Sequence, residues 1–267
     1  MDKQVLITPW DKAYQLLMEY IDQIKVQNPN TQFLSCWDFD GTLIKGDIGE
    51  GLYTEGKHEY CGLVEEAIIH GFIPRYSNHH GLQQFWQKYK DLAKEHSLLK
   101  AYKFLVDCIY TIPRTRRDEF KELCIRLVDE HISKYFYSQT RALMASFNNK
   151  KIIPIIISAS PQILIDSVIH HFPVDPQFAF GVSDPKENKQ IFNYGEGKVA
   201  RIDAVSKLLK EKLNTNIVAI FAAGDSWAND GAMMQRVCKN GGLSLCINPY
   251  SSPKWVTDFN IYCTQVK

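Results

Sequence analysis

No two cysteines in this 267-residue chain stand at the C-x-x-C spacing, and the seven present (Cys36, Cys61, Cys108, Cys124, Cys238, Cys246 and Cys263) are odd in number and scattered. That pattern argues against a zinc knuckle and a disulfide framework, so a reducing, cytoplasmic setting is expected. No apolar run is long enough to span a bilayer, and the opening MDKQVLITPWDKAYQLL has no apolar stretch flanked by a cleavage site. An excess of either charge is lacking too, since 31 basic and 30 acidic residues, mixed along the chain, leave a formal charge of +1. Neither a nucleic-acid footprint nor a membrane-binding basic face is expected. Internal repeats and low-complexity segments are also absent. Small molecules are the expected partners.

What is present is a globular composition, with 45% hydrophobic residues, enough to bury a sizeable core. Apolar residues at Ala13, Leu16, Leu17, Tyr20, Ile21 and Ile24 predict a helix over 11–26, and QNPNTQ ends it. Residues 33–37 read as a core strand that delivers Asp38 to the edge of a sheet. The next such strand, IIPIII at 152–157, comes more than 100 residues later. Helical spacing in HGLQQFWQKYKDLAKEH, LLKAYKFLVDCIY and RRDEFKELCIRLVDEHI fills the gap. Alternation then resumes: a helix over 161–171, a strand near 178–182, a helix over 198–213, a strand over 217–222, a short helix after Asp230 and a strand over 243–247. This pattern predicts an α/β fold, a doubly wound Rossmann-like parallel sheet with an all-helical insertion after its first strand. The expected division is 1–48 and 144–267 for the core and 49–143 for a helical cap.

In such a sheet the site lies at the carboxyl ends of the strands. There the sequence offers Asp38 and Asp40, then Ser158, then Lys198 in the first turn of a helix, then Gly224-Asp225 with Asp230 five residues on. Carboxylates converging without a partner raise one another's pKa, so the set implies a cation, and hard oxygen ligands with open positions suit Mg²⁺. A serine hydroxyl, a lysine ammonium and the backbone N–H groups around Gly41-Thr42 match the needs of a phosphoryl group. A carboxylate nucleophile and a second carboxylate as acid and base would split one displacement into two.

DFDGTL at 38–43, the strand ending in Ser158, Lys198 within GEGKV and GDSWAND at 224–230 resemble, in order, the four motifs of the haloacid dehalogenase superfamily. The long helical insertion, SASP at 158–161 and the AND ending resemble its phosphoserine-phosphatase-like subfamily. The resemblance implies a Mg²⁺-dependent phosphatase in which Asp38 is the nucleophile and a metal ligand. It makes Asp40 the general acid and base, bound to the metal through its backbone carbonyl, and Asp225 a further ligand. Thr42 and Ser158 would hydrogen-bond the phosphoryl group, Lys198 would neutralise it and keep Asp38 ionised, and Asp230 would support the metal. GDSWAND is one residue longer than the family's commoner GDGAND, which would extend that loop and bring Trp227 toward the pocket.

Asp47 lies nine residues after Asp38, where phosphoserine phosphatases place a glutamate that meets the substrate amine, and KGDIGEG at 45–51 resembles phosphocholine-phosphatase-like members. An anion there suits a cationic head group, with Tyr53, Tyr60, Phe85, Trp86, Tyr89 and Tyr102 as a candidate aromatic cage. The plainer readings are a turn aspartate and core aromatics. Arg75, Arg114, Arg116 and Arg117 are the candidates to grip a substrate carboxylate. Two histidine pairs, His79-His80 and His170-His171, and His58 beside Glu59 show no ligand spacing and read as surface residues. The same residues would serve a phosphotransferase with an alcohol acceptor, and the fold alone a non-catalytic ligand-binding protein.

Overall fold

The computed structural model describes residues 7–77, 79–95, 97–186, 191–249, 256 and 258–267, without the His79 side chain. Helix α1, Trp10–Gln27, presents Ala13, Leu17 and Ile21 to the interior. It packs on the core, where Tyr14 and Ser146 hydroxyls lie 3.0 Å apart. Strand β1, Thr31–Trp37, is followed by an antiparallel pair, β2 (Gly51–Thr54) and β3 (Lys57–Cys61). Helices α2 (Leu63–Ile69), α3 (His79–Glu95), α4 (Leu98–Ile109), α5 (Arg117–Leu127) and α6 (Ser138–Asn149) precede β4, Ile153–Pro161. Then come α7 (Gln162–Val168), β5 (Ala179–Val182), α8 (Glu196–Leu213), β6 (Asn216–Gly224), α9 (Trp227–Lys239), β7 (Leu243–Ile247) and β8 (Ile261–Thr264).

The six-stranded sheet has the order β5-β4-β1-β6-β7-β8, and every pairing is parallel. Renumbered without the β2-β3 pair, this is the Rossmann order 3-2-1-4-5-6. The order reverses where β1 meets β6, with Trp37 opposite Ala223. Period-two alternation along β1 sends Phe33 and Trp37 to one face and Leu34 and Cys36 to the other. On the first face Phe147 of α6 packs on Trp37 and Phe221, at ring-centroid distances of 5.9 and 4.8 Å. The second face is closed by Ile202, Val205 and Leu209 of α8 and by Met233, Met234 and Val237 of α9. Each such side chain contributes about 1.5–3 kcal/mol on burial.

Four differences from the sequence reading have local causes. The insertion is not wholly helical, because Glu55 and Gly56, at φ 50° and 81°, make the two-residue turn that joins β2 to β3. Helix α9 begins before Asp230, at Trp227, because the Ser226 hydroxyl accepts from Asn229 N–H at 3.3 Å and caps it. Trp227 packs against the second-face cluster with α8 and α9. The edge strand β8 also went unpredicted; Cys263 lies opposite Cys246, and all seven cysteines are free thiols. Among the described residues no helix is long and apolar enough to cross a membrane.

Candidate active site

Strands β1 and β6 end side by side at the point of reversal, and Asp38 N–H donates to Ala223 C=O at 2.9 Å. The chain then turns through Gly41, at φ 72°. A Cβ at Gly41 would lie 2.1 Å from Asp225 Oδ2, so only glycine lets the Asp225 carboxylate pack against the turn. Oxygens of Asp38, Asp225 and Asp230 lie within 4.8 Å of one another. Lys198, fully buried in the first turn of α8, donates to Asp38 Oδ1 and, at 2.5 Å, to Asp230 Oδ1. Thr42 Oγ1 donates to Asp38 Oδ2 at 3.2 Å.

Asp230 is occupied on both oxygens, since its Oδ2 accepts from the N–H groups of Asp225 and Ser226 at 3.1 and 3.0 Å. The Asp225 carboxylate, by contrast, accepts no hydrogen bond among the described residues. One lysine faces three acids. Burial, then Asp38 and Asp230, push Asp225 up to about 9, and burial and Asp230 push Asp38 up to about 8 against the pull of Lys198. Burial works to lower Lys198, but Asp230 and Asp38 overcome it and hold the ammonium charged. The donor set therefore fits a further hard cation: all oxygen, anionic when ionised, and with the Asp225 carboxylate uncommitted.

Asp40 sits on the other side of the turn. Its Oδ1 accepts from Ile48 N–H at 2.7 Å, and its Oδ2 accepts from Ser160 Oγ at 2.8 Å and Ser158 Oγ at 3.2 Å. Ser158 is thus drawn to Asp40, and its own Oγ accepts from Ser160 N–H at 2.9 Å. Burial, then the charge of Asp47, push Asp40 up to about 7 against these hydrogen bonds.

Asp47 realises the turn reading and faces the site as well. Its Oδ1 accepts from the N–H groups of Gly49 and Glu50, at 2.7 and 2.8 Å, while burial and then Glu50 push it up to about 7. Glu50 takes a hydrogen bond from Tyr89 Oη, and burial raises its pKa. Tyr102 stands between Tyr89 and Tyr194, at centroid distances of 6.4 and 6.2 Å. Burial, then Asp47 and Glu50, raise its phenol.

The six-residue aromatic cage does not assemble: Tyr53 is 64% exposed, Phe85 is buried against Phe104, Trp86 packs on the core, and Tyr60 donates to Lys45 C=O. Arg117 pairs with Asp184 at 2.8 Å, Arg116 pairs with Glu119, Arg75 lies over Tyr76, and Arg114 is exposed. Ser160, Glu50 and Asn193 escaped the sequence reading. Asn193 Nδ2 donates to the carbonyls of Ser158, Phe180 and Gly181, which ties the end of β4 to β5. Ser160 and Glu50 carried signals, inside SASP and KGDIGEG, whereas Asn193 carried none.

No protein with a curated description matches the sequence. Among solved structures, a protein of unknown function from Bordetella pertussis Tohama I superposes with TM-score 0.62 at 13% identity, covering 87% of this chain and 98% of that one. A functionally unknown protein from Anaerococcus prevotii DSM 20548 gives 0.58 at 15% identity, with 99% and 96% covered. Both likenesses establish the fold. In sequence, the family profile described as haloacid dehalogenase-like hydrolase matches residues 36–235, a span that runs from the end of β1 into α9. The chain belongs to the haloacid dehalogenase-like hydrolase family.

Proposed function

We propose that this protein is a Mg²⁺-dependent phosphatase of the phosphoserine-phosphatase-like type, which hydrolyses a small phosphomonoester through an aspartyl-phosphate on Asp38. The observation that carries the proposal is the pairing of two differently held carboxylates on one turn: Asp38 against Lys198, and Asp40 against two serine hydroxyls. Asp38, Asp225 and the backbone carbonyl of Asp40 would hold Mg²⁺, with Asp230 behind them, and the ion would supply positive charge to the carboxylates and the phosphoryl oxygens.

An Asp38 oxygen attacks phosphorus and the bond to the leaving oxygen breaks. Asp40, titrating near neutrality, gives that oxygen its proton. Asp40 then takes a proton from water, whose oxygen attacks the same phosphorus and releases phosphate and the Asp38 carboxylate. Thr42 and Ser158 donate to the phosphoryl oxygens, and Lys198 keeps positive charge beside them. The segment 49–143 acts as a cap over the core formed by 1–48 and 144–267, and excludes water.

Asp47 and Glu50 favour a positively charged head group. None of Asp40, Asp47, Glu50 and Asp225 forms an ion pair among the described residues, and Tyr89 and Tyr102 add π-faces beside Glu50. With Arg116 and Arg117 committed elsewhere, a substrate of phosphocholine type is favoured over one of phosphoserine type, whose carboxylate would need a cation. The test is phosphate release from phosphocholine, phosphoserine and an uncharged phosphomonoester, with Mg²⁺ and then with EDTA. Metal-dependent release, fastest from phosphocholine, is expected; release that persists in EDTA would contradict the mechanism.

A further inference from the structure

The pair His170-His171 lacks a third ligand in the sequence, and the fold supplies one. Helix α5 continues into a π-helical turn, Val128–Ile132, which carries Asp129, while α7 ends in a 3₁₀ turn, Ile169–His171. Asp129 Oδ1 lies 2.9 Å from His170 Nε2 and 2.8 Å from His171 Nε2. Adjacent side chains on a 3₁₀ turn point about 120° apart, so convergence on one oxygen is not what the backbone would give by default. The two ring centroids lie 4.2 Å apart, and the Phe136 ring packs edge-to-face with His171 at a centroid distance of 5.2 Å.

We propose that Asp129, His170 and His171 form a second metal site, separate from the carboxylate cluster, that takes a divalent transition ion of the Zn²⁺ class. Two imidazoles and one carboxylate form a borderline ligand set that suits Zn²⁺ rather than Mg²⁺. All three ligand atoms lie within 4.8 Å of one another. Bonds of about 2.0–2.1 Å in tetrahedral geometry separate ligand atoms by about 3.4 Å, so each of the two Asp129–histidine contacts need open by only about half an ångström. The side chains have that freedom, at 46%, 22% and 47% exposure for His170, His171 and Asp129.

As hydrogen-bonded pairs on the surface these contacts contribute little to stability, about 0–1 kcal/mol each. They do not by themselves account for two histidines ordered on one oxygen. A groove of about 460 Å³ lined by Arg141, His170, His171 and Phe172 adjoins the triad and leaves room for a water or an anionic ligand in the fourth position. Asp129 belongs to the chain between β1 and β4, and the histidines to the chain after β4. A bound ion would therefore pin these two segments together at the surface.

The test is Zn²⁺ titration of the full chain in excess Mg²⁺, followed by calorimetry, for wild type, His170→Gln, His171→Gln and Asp129→Asn. Two controls address the other described clusters: Cys61→Ala for His58, Cys61 and Glu65, and Asp38→Asn for the carboxylates. One Zn²⁺ equivalent is expected in wild type and in both controls. Its affinity should fall at least about 10- to 100-fold in each of the three triad variants, since losing a ligand costs no less than losing its outer partner. A wild type that binds no Zn²⁺, triad variants that bind it as wild type does, or loss confined to either control would overturn the proposal. Circular dichroism of the exposed-site variants should match wild type, which separates loss of the site from loss of the fold.

Discussion

Raising the pH of the protein in EDTA is expected to destabilise it, and Mg²⁺ is expected to reverse the effect. Asp40 and Asp47 are pushed up to about 7, Asp38 to about 8 and Asp225 to about 9, in each case by burial first. The folded chain therefore keeps protons that the unfolded chain releases near pH 4. More protons bound in the native state means that unfolding free energy falls as pH rises, fully present below about pH 4 and lost through about 7 to 9. Between about pH 5.5 and 8.5 Asp40 alone accounts for roughly 1.5 units, or about 2 kcal/mol at 1.36 kcal/mol per unit. The carboxylates titrate together, so their contributions are not summed. At about 2.1 cal/mol/K per residue the chain unfolds with roughly 0.56 kcal/mol/K, which makes the expected fall in Tm about 4 °C. The assay is thermal unfolding by circular dichroism across that range, in EDTA and in excess Mg²⁺. The gain from Mg²⁺ should grow with pH, because the ion binds the ionised set. A Tm in EDTA that is flat with pH, or a Mg²⁺ gain equal at both ends, would refute the reasoning.

Three substitutions follow from the same geometry. Gly41→Ala drives a methyl into Asp225 and strains a left-handed residue, so it should cost about 1–3 kcal/mol in thermal unfolding and weaken Mg²⁺ binding by calorimetry. Lys198→Met leaves Asp38 and Asp230 buried without a cation, and urea unfolding in EDTA should show a loss of about 3–5 kcal/mol. Glu50→Gln should raise KM for phosphocholine about tenfold, equivalent to about 1.4 kcal/mol, and leave an uncharged phosphomonoester unaffected; equal changes for both substrates would remove Glu50 from head-group reading.

The sheet was legible because each core strand is an apolar run that ends in a polar residue. Asp38, Ser158 and Asp225 mark the carboxyl ends of three neighbouring strands, and their meeting follows from the parallel order. Lys198 was legible only through its place in the set, since a lysine in a first helical turn is ordinarily solvated. The hairpin β2-β3 was hidden because its alternation is short and its turn is Glu55-Gly56 rather than the more telling Asn-Gly. Glu50 and Tyr102 lie 52 residues apart, on the segment after β1 and on α4, and no period links them. Asp129 and the histidine pair are likewise joined only by the packing of α5 on α7.

The central claim is that Asp38 becomes phosphorylated. Rapid acid quench of the enzyme with a radiolabelled phosphomonoester in Mg²⁺ measures it directly. Label on the wild-type chain that hydroxylamine releases, and that Asp38→Asn fails to acquire, is the predicted result. Phosphate release at wild-type rates by Asp38→Asn, with no label on either chain, would contradict it.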